Sequence, residues 1–217
     1  MKANLWEQLG QQFSSRWEDL LKATLQHMEL VILSMILAIL IGVPLGILIT
    51  RIPAIKGWVL GTAGILQTIP SLALLGFMIP LFGIGMNTAI AALFLYSLLP
   101  IIRNTFTGIQ DVDKATLEAA RGMGMRDGQI LFKIQLPLAL NVIMAGIRTA
   151  TVINVGTATL AAFIGAGGLG DFIFIGIQRN IDALILIGAL PAAVLALILD
   201  FLLGIMERVT TPRGLKI

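Results

Sequence analysis

EAARGMGMRDGQILFKIQLP, residues 118–137, is a polar interruption in a very apolar chain, and the rest is read outward from it. The stretch reads as two short helices joined by a glycine hinge. Asp113, just upstream, can cap the first helix, which continues through Ala115, Leu117, Ala119 and Ala120. Gly122 and Gly124 then supply the backbone freedom for a turn. Ile130, Leu131 and Ile134 give a second apolar-faced segment, and Pro137 suits the first turn of a further helix, where its missing N–H costs little. Arg121, Arg126 and Lys133 make the region basic. A compact charged helix–turn–helix between long apolar runs is built to dock rather than to span.

Those apolar runs set the fold class. Of 217 residues, 57% are hydrophobic and only 12% charged, with mean hydropathy +0.94, whereas ordinary globular domains are about a quarter charged. Such a chain cannot cover a water-facing surface, so the expected fold is all-α integral membrane, in one domain. The absence of cysteine excludes disulfides, Cys-ligated metal and thiol catalysis. The net charge of +3 is small, and its distribution sets topology. No basic array suits nucleic acid.

Residues 1–26 carry Leu5, Leu9, Phe13, Trp17 and Leu20 at about helical spacing. This predicts an amphipathic helix on the membrane surface, with Trp6 and Trp17 at headgroup depth. It is not a signal peptide, because the first apolar run starts too late and lacks a small-residue cleavage site. Five segments can cross about 30 Å of hydrocarbon: residues 27–50, 57–82, 87–109, 138–164 and 182–206, with a docking loop at 112–137 and a tail at 207–217. The second segment, with Pro70 at its middle, can also be counted as two. Charge favours five. If the tail with Arg208, Arg213 and Lys216 is cytoplasmic, five spans put Arg51, Lys56, Lys114, Arg121, Arg126 and Lys133 inside and the N-terminus outside. His27, the only histidine, reads as an interfacial residue without a chemical role.

On these residues the chain resembles the permeases of bacterial ABC importers. Their cytoplasmic loop carries Glu-Ala-Ala, three residues, Gly, nine residues, Ile, one residue and Leu-Pro. Here that pattern falls on Glu118, Ala119, Ala120, Gly124, Ile134, Leu136 and Pro137 with no departure in type or spacing. The resemblance implies a coupling helix seated in a groove of a partner ATPase, with Ala119 and Ala120 allowing close approach and Gly122 and Gly124 shaping the turn. QTIPSLALL (67–75), LPIIRNTFTGI (99–109) and GAGGLG (165–170) extend the likeness over most of the chain. They point to glycine betaine, carnitine and choline importers of the OpuC/ProW type, with the MetI-like fold of a type I importer permease.

The implied partners are a second permease subunit, identical or homologous, two ABC ATPases that hold ATP and magnesium, an external substrate-binding protein, and membrane lipid. The chain itself is expected to carry no cofactor or metal and to lie in the bacterial cytoplasmic membrane. A methionine-type importer permease is the nearest rival. An ATPase-independent secondary transporter or channel is the rival of another class, but no inverted repeat or chain of buried carboxylates supports it.

GAGGLG also matches the dinucleotide fingerprint GxGxxG, but it follows an apolar span instead of a strand. A tight external turn, with glycines allowing close backbone packing, is the better reading. Arg148 and Asp200 lie deep in neighbouring spans, where unpaired charges are expensive; they are expected to pair or to face a water-filled vestibule. Gln67, Thr68, Pro70, Ser71, Thr151, Asn154 and Thr157 are candidates for lining a pathway, with Pro70 breaking its helix. The alternative for each is hydrogen bonding between helices. No catalytic set is visible: there is no Walker lysine motif, and no Ser–His or Cys–His pair.

Overall fold

A computed structural model describes residues 4–210, which leaves Arg213 and Lys216 of the expected tail outside the described residues. Among the described residues every regular element is helical. A short α1 (Leu5–Ser15) is followed by α2 (Trp17–Arg51), α3 (Pro53–Thr68), α4 (Ser71–Phe82) and α5 (Met86–Gln110). The polar stretch holds α6 (Lys114–Gly122) and α7 (Asp127–Ile130), and a π-helical turn (Leu131–Gln135) leads into α8 (Leu136–Ala158). A 3₁₀ turn (Thr159–Ile164), α9 (Gly170–Arg179) and α10 (Asp182–Thr210) complete the described residues.

Among the described residues, four helical stretches are long and apolar enough to cross a membrane: Trp17–Arg51, Met86–Gln110, Asp127–Ile164 and Asp182–Val209. The fifth expected span is a broken pair, with α3 and α4 bent by 106° at Ile69–Pro70. The first span begins ten residues before the expected 27, because nothing between Trp17 and Pro44 breaks a helix; the charged Glu18, Asp19 and Lys22 do not. α1 is correspondingly shorter than the amphipathic helix expected over residues 1–26, ending at Ser15, and packs against α10.

α5 is the axis of the bundle, packed against both α2 and α8, which also touch each other. Lipid gives no hydrophobic drive between helices, so close backbone approach must supply the packing. Gly42 and Gly46, one turn apart on α2, provide it: a Cβ at Gly46 would stand 2.5 Å from Cβ of Thr105. Gly146 does the same for α8, its virtual Cβ falling 2.5 Å from Cβ of Asn104.

The glycine-rich segment is a turn, as expected, with Gly165, Gly167 and Gly168 at positive φ. It packs on α2, where Gly168 N–H donates to Gln26 Oε1 at 3.3 Å and covers His27. His27 is therefore fully buried instead of interfacial, with Nε2–H donating to the Val155 carbonyl at 3.1 Å. The early start of α2 places His27 well inside a helix, under that turn.

Candidate functional site

The stretch 113–137 is built by local rules. Asp113 caps α6, its carboxylate accepting from Thr116 N–H at 3.1 Å. That hydrogen bond holds the Asp113 carboxyl below its ordinary range. The far end of α6 closes with a Schellman turn. Gly124, at φ 78, occupies the left-handed position, and Met125 N–H donates to the Ala120 carbonyl at 3.1 Å. Gly122 takes no such role; it remains within α6. The second half does not form a separate helix either, because α7 runs through the π turn into α8, with Pro137 in the first turn of α8.

Ala120 is completely buried and joins Ile130 and Leu131 inside, while Glu118 and Ala119 face outward. Ile134, Leu136 and Pro137 are half-buried at the root of α8. Two large apolar side chains, Met123 at 74% exposure and Phe132 at 69%, protrude among Arg121, Arg126, Asp127 and Lys133. Apolar knobs set in a ring of charge are how a docking surface combines contact area with orientation.

The same end of the molecule carries a contact invisible in the sequence. Arg51, the last residue of α2, donates from Nη2 to Gln135 Oε1 at 2.8 Å, joining α2 to the π turn. Just beyond, Lys56 of α3 lies 4.2 Å over the Phe106 ring of α5.

The break at Ile69–Pro70 is tied to α5 by a reciprocal pair. Pro100 has no N–H, so the Tyr96 carbonyl one turn earlier lacks its helical donor. Gln67 Nε2 donates to that carbonyl at 3.3 Å, and the Tyr96 hydroxyl donates back to the Ile69 carbonyl freed by the break. Thr68 and Pro70 remain exposed and Ser71 half-exposed beside this latch.

Thr151 and Asn154, expected on a pathway-lining face, are instead buried within the bundle, at 5% and 0% exposure. Asn154 joins three helices: its Nδ2 donates to Ser97 Oγ at 2.7 Å and Ser34 Oγ at 3.0 Å, and reaches the Leu93 carbonyl at 3.3 Å. Thr151 and the half-buried Thr157 bond to their own helix, at the carbonyls of Ile147 and Ile153.

Arg148 and Asp200 meet across α8 and α10. Arg148 Nε and Nη2 donate to the two oxygens of Asp200, both at 2.9 Å, and Nη1 donates to Glu207 Oε2 at 2.8 Å. Arg148 and Asp200 line a cleft of about 740 Å³ together with Val152, Ile153, Ala193, Ala196 and Leu197. No group of three His, Cys, Asp or Glu able to hold a metal ion occurs among the described residues.

Residues 24–213 match the family described as binding-protein-dependent transport system inner membrane component. The chain is 48% identical to the choline transport system permease protein OpuBB of Bacillus subtilis, over 91% of each chain. It is also 48% identical to the carnitine transport permease protein OpuCB of Listeria monocytogenes, over 94% of each. With the osmoprotectant import permease protein OsmW of Salmonella typhimurium the identity is 49%, over 89% of this chain and 92% of the relative. Among solved structures, the inward-facing MetNI methionine ABC transporter superposes with TM-score 0.78 at 26% identity, over 89% of this chain and 96% of the other. An amino acid ABC transporter gives TM-score 0.76 at 20% identity, a likeness of fold alone.

Proposed function

This chain belongs to the family of binding-protein-dependent transport system inner membrane components, and from that premise we propose that it is the membrane-spanning subunit of an ATP-driven importer for a compatible solute. The solute class is glycine betaine, carnitine or choline, the chemistry named in relatives at 48% identity. The methionine-type alternative rests on the 26% likeness to MetNI, which speaks for a shared fold more than a shared substrate. The observation that carries the proposal is the stretch 118–137, whose Schellman-closed α6 and protruding Met123 and Phe132 suit docking on a cytoplasmic ATPase.

In this reading the ATPase binds ATP and magnesium, and its closure moves α6–α7 and with them α8. The spanning helices then exchange an outward-open for an inward-open arrangement. Each arrangement is selected by the ligand that prefers it. Energy and chemistry belong to the partner; this chain supplies the path and the linkage. We assign the exposed break at Thr68, Pro70 and Ser71 to the path, with Gln67 holding it in shape through Tyr96. The N-terminus then lies outside with the glycine turn, where a substrate-binding protein delivers, and a second permease subunit completes the path.

The substrate class is tested by uptake of radiolabelled glycine betaine into proteoliposomes holding this chain, its ATPase and its binding protein. Competition by choline or carnitine, and none by methionine, is the expected result. Uptake of methionine in place of betaine would move the assignment to the rival importer class.

A further inference from the structure

The contact between Arg51 and Gln135 joins parts of the chain that local sequence keeps 84 positions apart. Each partner sits at a mechanical junction. Gln135 is the last residue of the π turn between the docking stretch and α8, and is 91% buried, with an exposure of 9%. Arg51 closes α2, where a cation is favoured by the helix dipole, and Pro53 starts α3 two residues on. Lys56, in the first turn of α3, grips the face of Phe106 on α5. A push on α7 reaches α8 directly through continuous helix. It reaches the α2–α3 corner, and beyond it the broken α3–α4 pair, through the Gln135 side chain.

The π turn adds a second reason. Its i to i+5 ladder is wider than that of an α-helical turn, and single π turns recur at kinks in helices and at functional sites. A charge-assisted hydrogen bond ties the last residue of that turn to the end of α2.

We propose that Gln135 and Arg51 form a strut that carries movement of the docking stretch to the α2–α3 corner. Both are positioning residues; neither touches the transported solute. The strut rests on the importer assignment above and adds a specific linkage to it.

The chain has no cysteine, so the contact and its role can be separated. In the assembled transporter, Gln135→Leu and Arg51→Gln are each expected to keep ATPase co-purification and ATP hydrolysis while lowering solute uptake per ATP by about three- to tenfold. Gln135→Glu preserves the acceptor and is expected to remain within about twofold of the parent. The double variant Arg51→Gln/Gln135→Leu is expected to be no worse than either single change. Unchanged uptake per ATP in Gln135→Leu, additive losses in the double variant, or a Gln135→Glu as impaired as Gln135→Leu would each overturn the strut. Loss of assembly in both single variants would make the contact a folding element and would also overturn it.

A second measurement uses Arg51→Cys with Gln135→Cys. A crosslink by a bifunctional thiol reagent as long as the two native side chains, in membranes holding this chain alone, supports the contact, and no crosslink with that reagent counts against it. If the crosslink forms but the parental transporter shows no ATP-coupled uptake, the importer assignment fails while the contact stands.

Discussion

Asp200→Asn isolates the charge at the α8–α10 junction with little change of shape. In the native protein Asp200 receives two of the three hydrogen bonds that Arg148 donates. Fully buried, two charge-assisted bonds would be worth about 3–6 kcal/mol. Here the Arg148 and Asp200 side chains are 33% and 38% exposed to the cleft, so solvent screening cuts the expected loss to about 1–2 kcal/mol. Glu207 remains as a partner for Arg148, which limits the damage further. A double-mutant cycle with Arg148→Gln, read by denaturant unfolding in detergent micelles, gives the pair energy directly. The expected coupling energy is about 1–2 kcal/mol, and additivity within about 0.3 kcal/mol would refute the claim that the charges stabilise one another. Exchanging the two charges, Arg148→Asp with Asp200→Arg, is expected to rescue only in part. Glu207 would then face a carboxylate, and adding Glu207→Gln should improve the rescue.

Three further outcomes follow from the packing. Asn154→Ala removes the donor shared by Ser34, Ser97 and the Leu93 carbonyl; at about 0.6 kcal/mol per bond inside a membrane, the unfolding free energy should fall by about 2 kcal/mol. Gly46→Val drives a side chain into Thr105 at a close crossing of α2 and α5, so yield and thermal midpoint in detergent should drop sharply, while Gly61→Val, where the space is open, should not. Gly124→Val places a β-branched residue at φ 78 and should open the α6 turn, abolishing ATP-coupled uptake without loss of membrane insertion; wild-type uptake would contradict the role given to that turn.

The conformation of residues 113–137 was legible in the sequence because its determinants are local. A cap, a left-handed glycine and a proline in a first turn act within a few residues of themselves, and Asp113, Gly124 and Pro137 each do so. The break at Pro70 was legible for the same reason. Gly122 misled because two glycines in the same turn look alike on paper, although only the residue at the left-handed position needs to be glycine.

The pathway was harder to read. Hydroxyls at Thr149, Thr151 and Thr157 bond to carbonyls of Ala145, Ile147 and Ile153 one turn back. Such self-contained threonines tolerate an apolar setting, so a polar-rich helix does not by itself mark a water-facing side. Asn154 is polar because three helices share its amide. The Pro100 and Tyr96 spacing did hold a usable signal: a proline inside a span leaves the carbonyl four residues earlier in need of a donor, and Gln67 supplies it. Nothing in the sequence paired Arg51 with Gln135, because their nearness is a product of how α2 and α8 pack around α5.

The most direct measurement is solute uptake by proteoliposomes with ATP inside, compared with vesicles lacking either ATP or the ATPase but carrying an ion gradient. The account predicts uptake only when ATP and the ATPase are both present. Uptake driven by the gradient alone would contradict it and identify a secondary transporter instead.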